Sequence, residues 1–492
     1  MCAENTAARR IMSVTQEGAG VLTAAAEEPL DPWLLGLFSL SGVQAASRTL
    51  LEFVEAEVPR RSPFTPPKAV SLELSGDEGA KLDDVLAEVC DTFVRHAVDT
   101  RHPLSMAHMV PPPLGISVLA DLLIGATNQC AFIYEEAPLA ATLERQVVDW
   151  LCARVGYGAG AGGMLTSGGT MSNLLAVHLA RERALQEGRD LTALRIVASD
   201  QVHVSLDKAA SLAGLGHDAI VRVPTDVTGR LRDGAVCRLA DELASKDLHP
   251  FLFICTAGTA NAGVVEPLPE FLASARSHGA WCHMDAALGG MLTLTDPVAT
   301  SDWYQADSVS WDPHKTLYAS YAVGSLLLRN DHESDRLRFH AEYALKRDSD
   351  QDAGDRRLEG SRRLEALKLW MCIRHLGTAG YTQILRRARE RTTSFAERIH
   401  KAPGLELVTE PDTTVVCFRL VQPGLSQRDV DLLHERVQQA LFHSGRLLLS
   451  TTRVGGSTVL RAVLLNPLVG LEDLDEALQH VTQETARQAA LL

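Results

Sequence analysis

From about residue 139 the apolar positions settle into a helical repeat, with Leu143, Val147, Val148, Leu151 and Val155 on one face. Farther on, short apolar runs without polar alternation cover residues 195–198, 219–223, 251–256, 281–284, 308–311 and 322–328. Helix-like stretches at 204–213, 235–244 and 268–278 lie between them. Strands of this kind linked by helices predict a largely parallel sheet buried on both faces, so the middle of the chain reads as an α/β domain.

The flanks read differently. Residues 1–30 look like a loose tail, and 31–105 like an N-terminal helical arm, with helical patterns at 43–57 and 81–97 around a proline-rich connector at 59–67. A large α/β domain is expected over 106–365. A smaller α+β domain over 366–492 follows from the helical pattern at 364–376, the alternation at 408–420 and a strand-like run at 458–465. The arm is too thin for a core of its own.

Composition narrows the class. Apolar residues make up 46% and charged residues 22%, which suits a globular chain rather than a disordered one or a fibre. Forty-seven Lys and Arg against 62 Asp and Glu leave a net charge of −15, which argues against nucleic acid or an anionic membrane as partner. Nine scattered cysteines without a CxxC pair or metal-ligand spacing suit a reducing compartment. No secretory h-region or membrane-length apolar run is visible, so the chain is expected to be cytoplasmic.

In an open α/β sheet, ligands bind beyond the carboxyl ends of the strands, so the residues after each run carry the candidate chemistry. Thr166-Ser167-Gly168-Gly169-Thr170-Met171-Ser172-Asn173 precedes an apolar helix and reads either as a phosphate cradle or as a plain capped turn. Asp285, at the end of the run 281–284, could hold a protonated ring nitrogen or a metal, or simply cap a helix. His283 is expected on the opposite strand face from Asp285, and no metal site is expected. Lys315 lies in the apolar, proline-fixed stretch Asp312-Pro313-His314-Lys315, where burial is expected to lower its pKa and free an amine for Schiff-base chemistry. His203, after the run 195–198, is placed to stack on a planar ring or to work as an acid or base. Phosphate cradle, carboxylate, lysine and imidazole together meet the demands of pyridoxal 5'-phosphate.

On six segments in order, the chain resembles the group II pyridoxal-phosphate-dependent amino-acid decarboxylases, the family of glutamate, cysteine-sulfinate, aromatic and 2,4-diaminobutyrate decarboxylases. They are 166–173, 199–205, Thr256-Ala257-Gly258-Thr259, His283-Met284-Asp285-Ala286-Ala287, Asp312-Pro313-His314-Lys315, and Ser361-Arg362-Arg363 through Trp370. The resemblance covers about 90–470. It implies a fold of the aspartate aminotransferase type (fold type I), a homodimer with its active site at the interface, and a small-molecule amino-acid substrate turned into its amine and carbon dioxide through an external aldimine and a quinonoid.

Site roles follow from the resemblance. Lys315 would carry the Schiff base, Asp285 would pair with the ring nitrogen, and His203 would stack over the ring while Ala287 packs beneath it. Thr256 would lie beside the cofactor, Ser167, Gly168, Gly169 and Thr170 would hold its phosphate, and His314 and Asp312 would also contact it. Arg461 would meet the substrate carboxylate, and His108 and Met109 would line the pocket. Tyr343, in a mobile catalytic loop over about 340–357, would protonate the substrate carbon. Asp312 stands where Asn is more usual and Leu288 where an aromatic is common. Residues 134–138 resemble the glutamate and cysteine-sulfinate branch, whereas 102–108 and 340–343 resemble diaminobutyrate decarboxylases. The expected substrate is acidic or short and polar. A decarboxylation-coupled aldehyde synthase, a transaminase and a catalytically silent paralogue are the alternatives.

Overall fold

The computed structural model describes residues 79–338 and 353–492, with Arg48 as an isolated position. Its larger sheet has seven strands: β1 (Gly162–Thr166), β2 (Leu194–Ser199), β3 (Ile220–Val223), β4 (His249–Thr256), β5 (Trp281–Asp285), β6 (Ser308–Trp311) and β7 (Gly324–Leu328). They lie in the order β1-β7-β6-β5-β4-β2-β3. Only β7 runs against the rest, pairing antiparallel with both β1 and β6. The carboxyl ends of β1, β2, β4, β5 and β6 therefore share one edge.

The strands are apolar on both faces because both are covered. One face packs on the helices Ala140–Val155, Ala235–Ser245 and Leu268–Ser277, through residues such as Val147, Val236, Phe271, Phe253 and Met284. The other packs on the helices Gly169–Gln186 and Ser205–Leu212, through Leu175, Leu179, Leu206, Ile254 and Trp281. The mostly parallel α/β sheet expected from the apolar runs is thus present, with one strand unforeseen: β1 opens with Gly162-Gly163, residues that favour turns over strands.

A second sheet contains β8 (Leu405–Leu407), β9 (Val415–Leu420), β10 (Ser450–Val454) and β11 (Ser457–Val463), all antiparallel in the order β10-β11-β9-β8. Its core includes Phe395, Phe418, Leu433, Val437 and Leu474, and takes in Leu104 and Met106 from far upstream. The helix Glu365–Lys401 runs from one sheet to the other and breaks its helical geometry at Gly377, where φ is +61°. The Tyr318 hydroxyl donates to the Leu465 carbonyl at 2.9 Å and ties the sheets together. No helix among the described residues is long and apolar enough to cross a membrane.

Candidate active site

At the shared strand edge lies a cavity of about 490 Å³, walled by the loops after β1, β2, β4, β5 and β6 and closed on one side by Met109, Val110, Tyr321 and Arg461. It brings together Ser167, Gly168, Gly169, Thr170, His203, Thr256, Asp285, Ala287, Asp312, His314 and Lys315.

Asp285 ends β5 and is buried. Burial alone would raise its pKa, but the donors around it hold the carboxyl below the usual range. Asn173 Nδ2 donates to Oδ2 at 2.8 Å, while Ser310 Oγ and the Ala287 N–H each donate to Oδ1 at 3.1 Å. The sequence-based expectation for His283 is wrong. Strand residues two apart share a face, so His283 points the same way as Asp285. Its Nε2 lies 3.1 Å from Asn173 Oδ1 and its Nδ1 2.7 Å from Ser308 Oγ. Burial lowers its pKa to about 4, so it is neutral. Among the described residues, no cluster of His, Cys, Asp and Glu is arranged to hold a metal.

The cradle after β1 is built by contact. Gly168 (φ +146°) precedes the 18-residue helix and supplies no side-chain cap. A Cβ on Gly169 would fall 3.0 Å from Asp312 Oδ2 and 3.2 Å from the Ala287 methyl, and one on Gly324 would fall 2.5 Å from Gly168 Cα. Glycine at 324 lets backbone approach backbone, and glycine at 169 leaves room for the Asp312 carboxylate and the Ala287 methyl. A helix start with hydroxyls on Ser167 and Thr170 suits a phosphate.

Lys315 departs from expectation. Its Nζ lies 2.9 Å from Asp312 Oδ2. Burial pulls its pKa down, as the apolar setting predicts, yet Asp312, and then Asp285, outweigh burial and lift it above the ordinary lysine value. Two buried oxygens in the cavity wall, Thr256 Oγ1 and Asp312 Oδ1, have no hydrogen-bond partner among the described residues. His203 is exposed as a residue, yet desolvation of its ring lowers its pKa; its Nδ1 accepts from the Ser205 N–H at 3.2 Å. A phosphate cradle, an ionised carboxylate, a lysine amine and a neutral imidazole in one cavity fit pyridoxal phosphate.

Arg461, on β11, reaches the cavity from the second sheet, with Nε donating to Ser450 Oγ at 3.0 Å and Nη2 to the Ala107 carbonyl at 3.2 Å. Met109 lines this cavity, whereas His108, 3.5 Å from Arg461, faces a neighbouring one of about 450 Å³. Tyr343 and most of the expected loop lie outside the described residues. Sequence reasoning missed the parts played by Asn173, His283, Ser310 and Tyr321. Asn173 stood inside a quoted segment without a role, and Tyr321 stacks its ring 4.4 Å from that of His314.

Glu266 is a further buried carboxyl. It accepts the Thr256 N–H at 2.7 Å, and burial, reinforced by Asp285 and Asp200, raises its pKa to about 7.

The pyridoxal-dependent decarboxylase conserved domain matches residues 69–421. The L-2,4-diaminobutyrate decarboxylase of Acinetobacter baumannii is 31% identical over 444 residues, covering 85% of this chain and 87% of that protein. The cysteine sulfinic acid decarboxylase of Mus musculus is 31% identical over 429 residues, 82% of this chain and 86% of that one. Among solved structures, the glutamate decarboxylase domain of the diaminobutyrate-pyruvate transaminase and L-2,4-diaminobutyrate decarboxylase from Vibrio parahaemolyticus superposes with a TM-score of 0.83 at 25% identity, covering 93% of this chain and 100% of that one. The fold is therefore that of type I pyridoxal-phosphate enzymes, and the chain belongs to the pyridoxal-dependent decarboxylase family, as an amino-acid decarboxylase with pyridoxal phosphate as its cofactor.

Proposed function

We propose that this decarboxylase acts on an acidic or short polar L-amino acid, as a cytoplasmic homodimer, with Lys315, Asp285 and His203 at the centre of its chemistry. One observation carries the assignment of these residues: Asp285, kept ionised by Asn173 and Ser310, shares a cavity with the Lys315 amine and a glycine-walled helix start.

Bound pyridoxal phosphate supplies an electron sink for the pair left behind when the α-carboxylate departs as carbon dioxide. Lys315 would be the amine that holds the cofactor's aldehyde group. Asp285 keeps a proton on the ring nitrogen, which requires the carboxylate form that its donors favour. Ser167, Gly168, Gly169 and Thr170 would hold the phosphate, and Thr256, Ala287 and neutral His203 would contact the rest of the cofactor. His203 or Tyr343 returns a proton to the α-carbon. Met109, Val110 and Leu288 keep water from that carbon, where stray protonation would compete.

Arg461 is the cation available to a carboxylate, because the charge of Lys315 is matched by Asp312. Relatives named for diaminobutyrate, acidic amino acids and cysteine sulfinate support a small polar substrate. Free cysteines at all eight described positions support a reducing compartment, and apolar helix faces open to solvent support a second copy.

The test is carbon dioxide release with added pyridoxal phosphate from L-2,4-diaminobutyrate, L-aspartate, L-glutamate, L-cysteine sulfinate, L-tyrosine and L-tryptophan. Turnover is expected with one or more of the first four. Turnover of the aromatic pair alone would sink the substrate proposal, and ammonia with peroxide in place of an amine would indicate the aldehyde outcome. Lys315→Ala should abolish both turnover and the visible absorbance of the bound cofactor.

A further inference from the structure

Asp312 is 1% exposed, and one of its two carboxylate oxygens is engaged by charged neighbours. Oδ2 meets Lys315 Nζ at 2.9 Å and lies 3.6 Å from His314 Nε2. Oδ1 has no hydrogen-bond partner among the described residues, and a Cβ on Gly324 would come within 2.7 Å of it. The short helix Pro313–Thr316 sets Asp312 and Lys315 three residues apart, so the pair closes within one turn.

We propose that Asp312 is a positioning residue that acts through Lys315, gripping its ammonium and thereby setting the pH at which the chain captures its cofactor. This rests on the reading of Lys315 as the cofactor-bearing amine.

The groups facing Lys315 all bear on its charge. Asp312 and His314 belong to its own segment, Asp285 comes from the end of β5, His203 from the loop after β2, and Tyr321 from the loop before β7. Burial lowers the pKa of both histidines and so keeps them neutral, and it raises that of the Tyr321 hydroxyl, which stays protonated. That leaves two carboxylates to favour the ammonium. Capture requires the opposite form. The nitrogen must first give up one proton, to Asp312 or to solvent. Its lone pair then attacks the aldehyde carbon, a C=N bond forms, and the aldehyde oxygen leaves as water. Each pKa unit added to Lys315 lowers the free-amine fraction about tenfold near neutrality.

Two measurements on the full chain stripped of cofactor decide the matter. The first is the rate at which a small acylating reagent labels Lys315, read by peptide mass spectrometry between about pH 6 and 11. The native midpoint is expected above that of an ordinary lysine, and Asp312→Asn should bring it down. The second is the rate of reconstitution with pyridoxal phosphate at pH 7, which should rise about tenfold in Asp312→Asn. A native midpoint at or below the ordinary value, or an unchanged midpoint in the variant, would overturn the proposal. If the variant does not fold, native labelling alone decides. Should Lys315→Ala still develop the visible band of the bound cofactor, the reading of Lys315 fails, whereas the labelling result concerns the ion pair itself.

Discussion

At the scale of single residues, the charge of Asp285 depends on a directed chain of donors. Trp281 Nε1 donates to Ser308 Oγ at 2.8 Å, and neutral His283 bridges Ser308 and Asn173. Since Asn173 spends its amide N–H groups on Asp285 and Ser205, its carbonyl must accept from His283 Nε2–H. Every donor thus points toward the carboxylate. Asn173→Leu should raise the Asp285 pKa. Because the carboxylate form is needed, activity is lost as pH falls through that pKa, so the acid limb of the rate profile should move upward, with a drop of about ten- to a hundredfold at its foot. An unmoved limb would refute the arrangement. Glu266 has the opposite sign. Its folded pKa, about 7, exceeds its unfolded value, so its contribution is complete at low pH and is lost as pH rises from about 4.5 to 7. Glu266→Gln should therefore gain in melting temperature relative to the native chain at pH 8 but not at pH 4, and equal differences at the two would contradict the raised pKa. Lys315, Asp285 and His203 were visible in the sequence because each follows an apolar run. The relay behind Asp285 was not, since partnership between residues 110 apart is settled by packing and leaves no local spacing to read.

At the scale of elements, the apolar runs read β2 to β7 to within a few residues, because strands covered on both faces leave unbroken apolar signatures. β1 and the small-sheet strands β8 and β10 were harder: Gly162-Gly163 imitates a turn, β8 has three residues, and β10 is mostly polar. The segment that leads into the helix Glu365–Lys401 is held by ions. Glu144, buried in the helix Ala140–Val155, receives Arg357 at 2.7 Å and also Arg362, and accepts the Leu165 N–H of β1 at 2.8 Å. Both arginines are themselves largely buried, so Glu144→Ala would strand two cations, which costs about 3–5 kcal/mol. Urea unfolding should show that loss, and a change below about 1 kcal/mol would mean that water reaches the arginines. Gly324→Ala acts on the neighbouring element: its methyl would strike Gly168 Cα, so the backbone must shift, and both pyridoxal phosphate affinity and stability to urea should fall.

At the scale of the whole molecule, a net charge of −15 coexists with a pocket proposed to take a phosphate at a helix start and a carboxylate at Arg461 rather than on a basic surface. Repulsion between acidic chains would oppose association, so a dimer needs apolar surface to offset it. The helix Gly115–Thr127 offers Val118, Leu119, Leu122 and Leu123, each between 44% and 58% exposed, in the i, i+3, i+4 pattern of a packing face. Its inner side carries Ser117, whose hydroxyl lies 2.8 Å from that of Ser320, in the loop between Lys315 and β7, so burial of the outer side would brace the active-site edge. Leu119→Glu combined with Leu123→Glu should split the assembly from about twice 53.3 kDa to one chain, and activity should fall with it. Sedimentation of the native protein at micromolar concentration is the check. A single-chain mass there would end the dimer proposal, and a dimer that survives both glutamates would place the interface on another face.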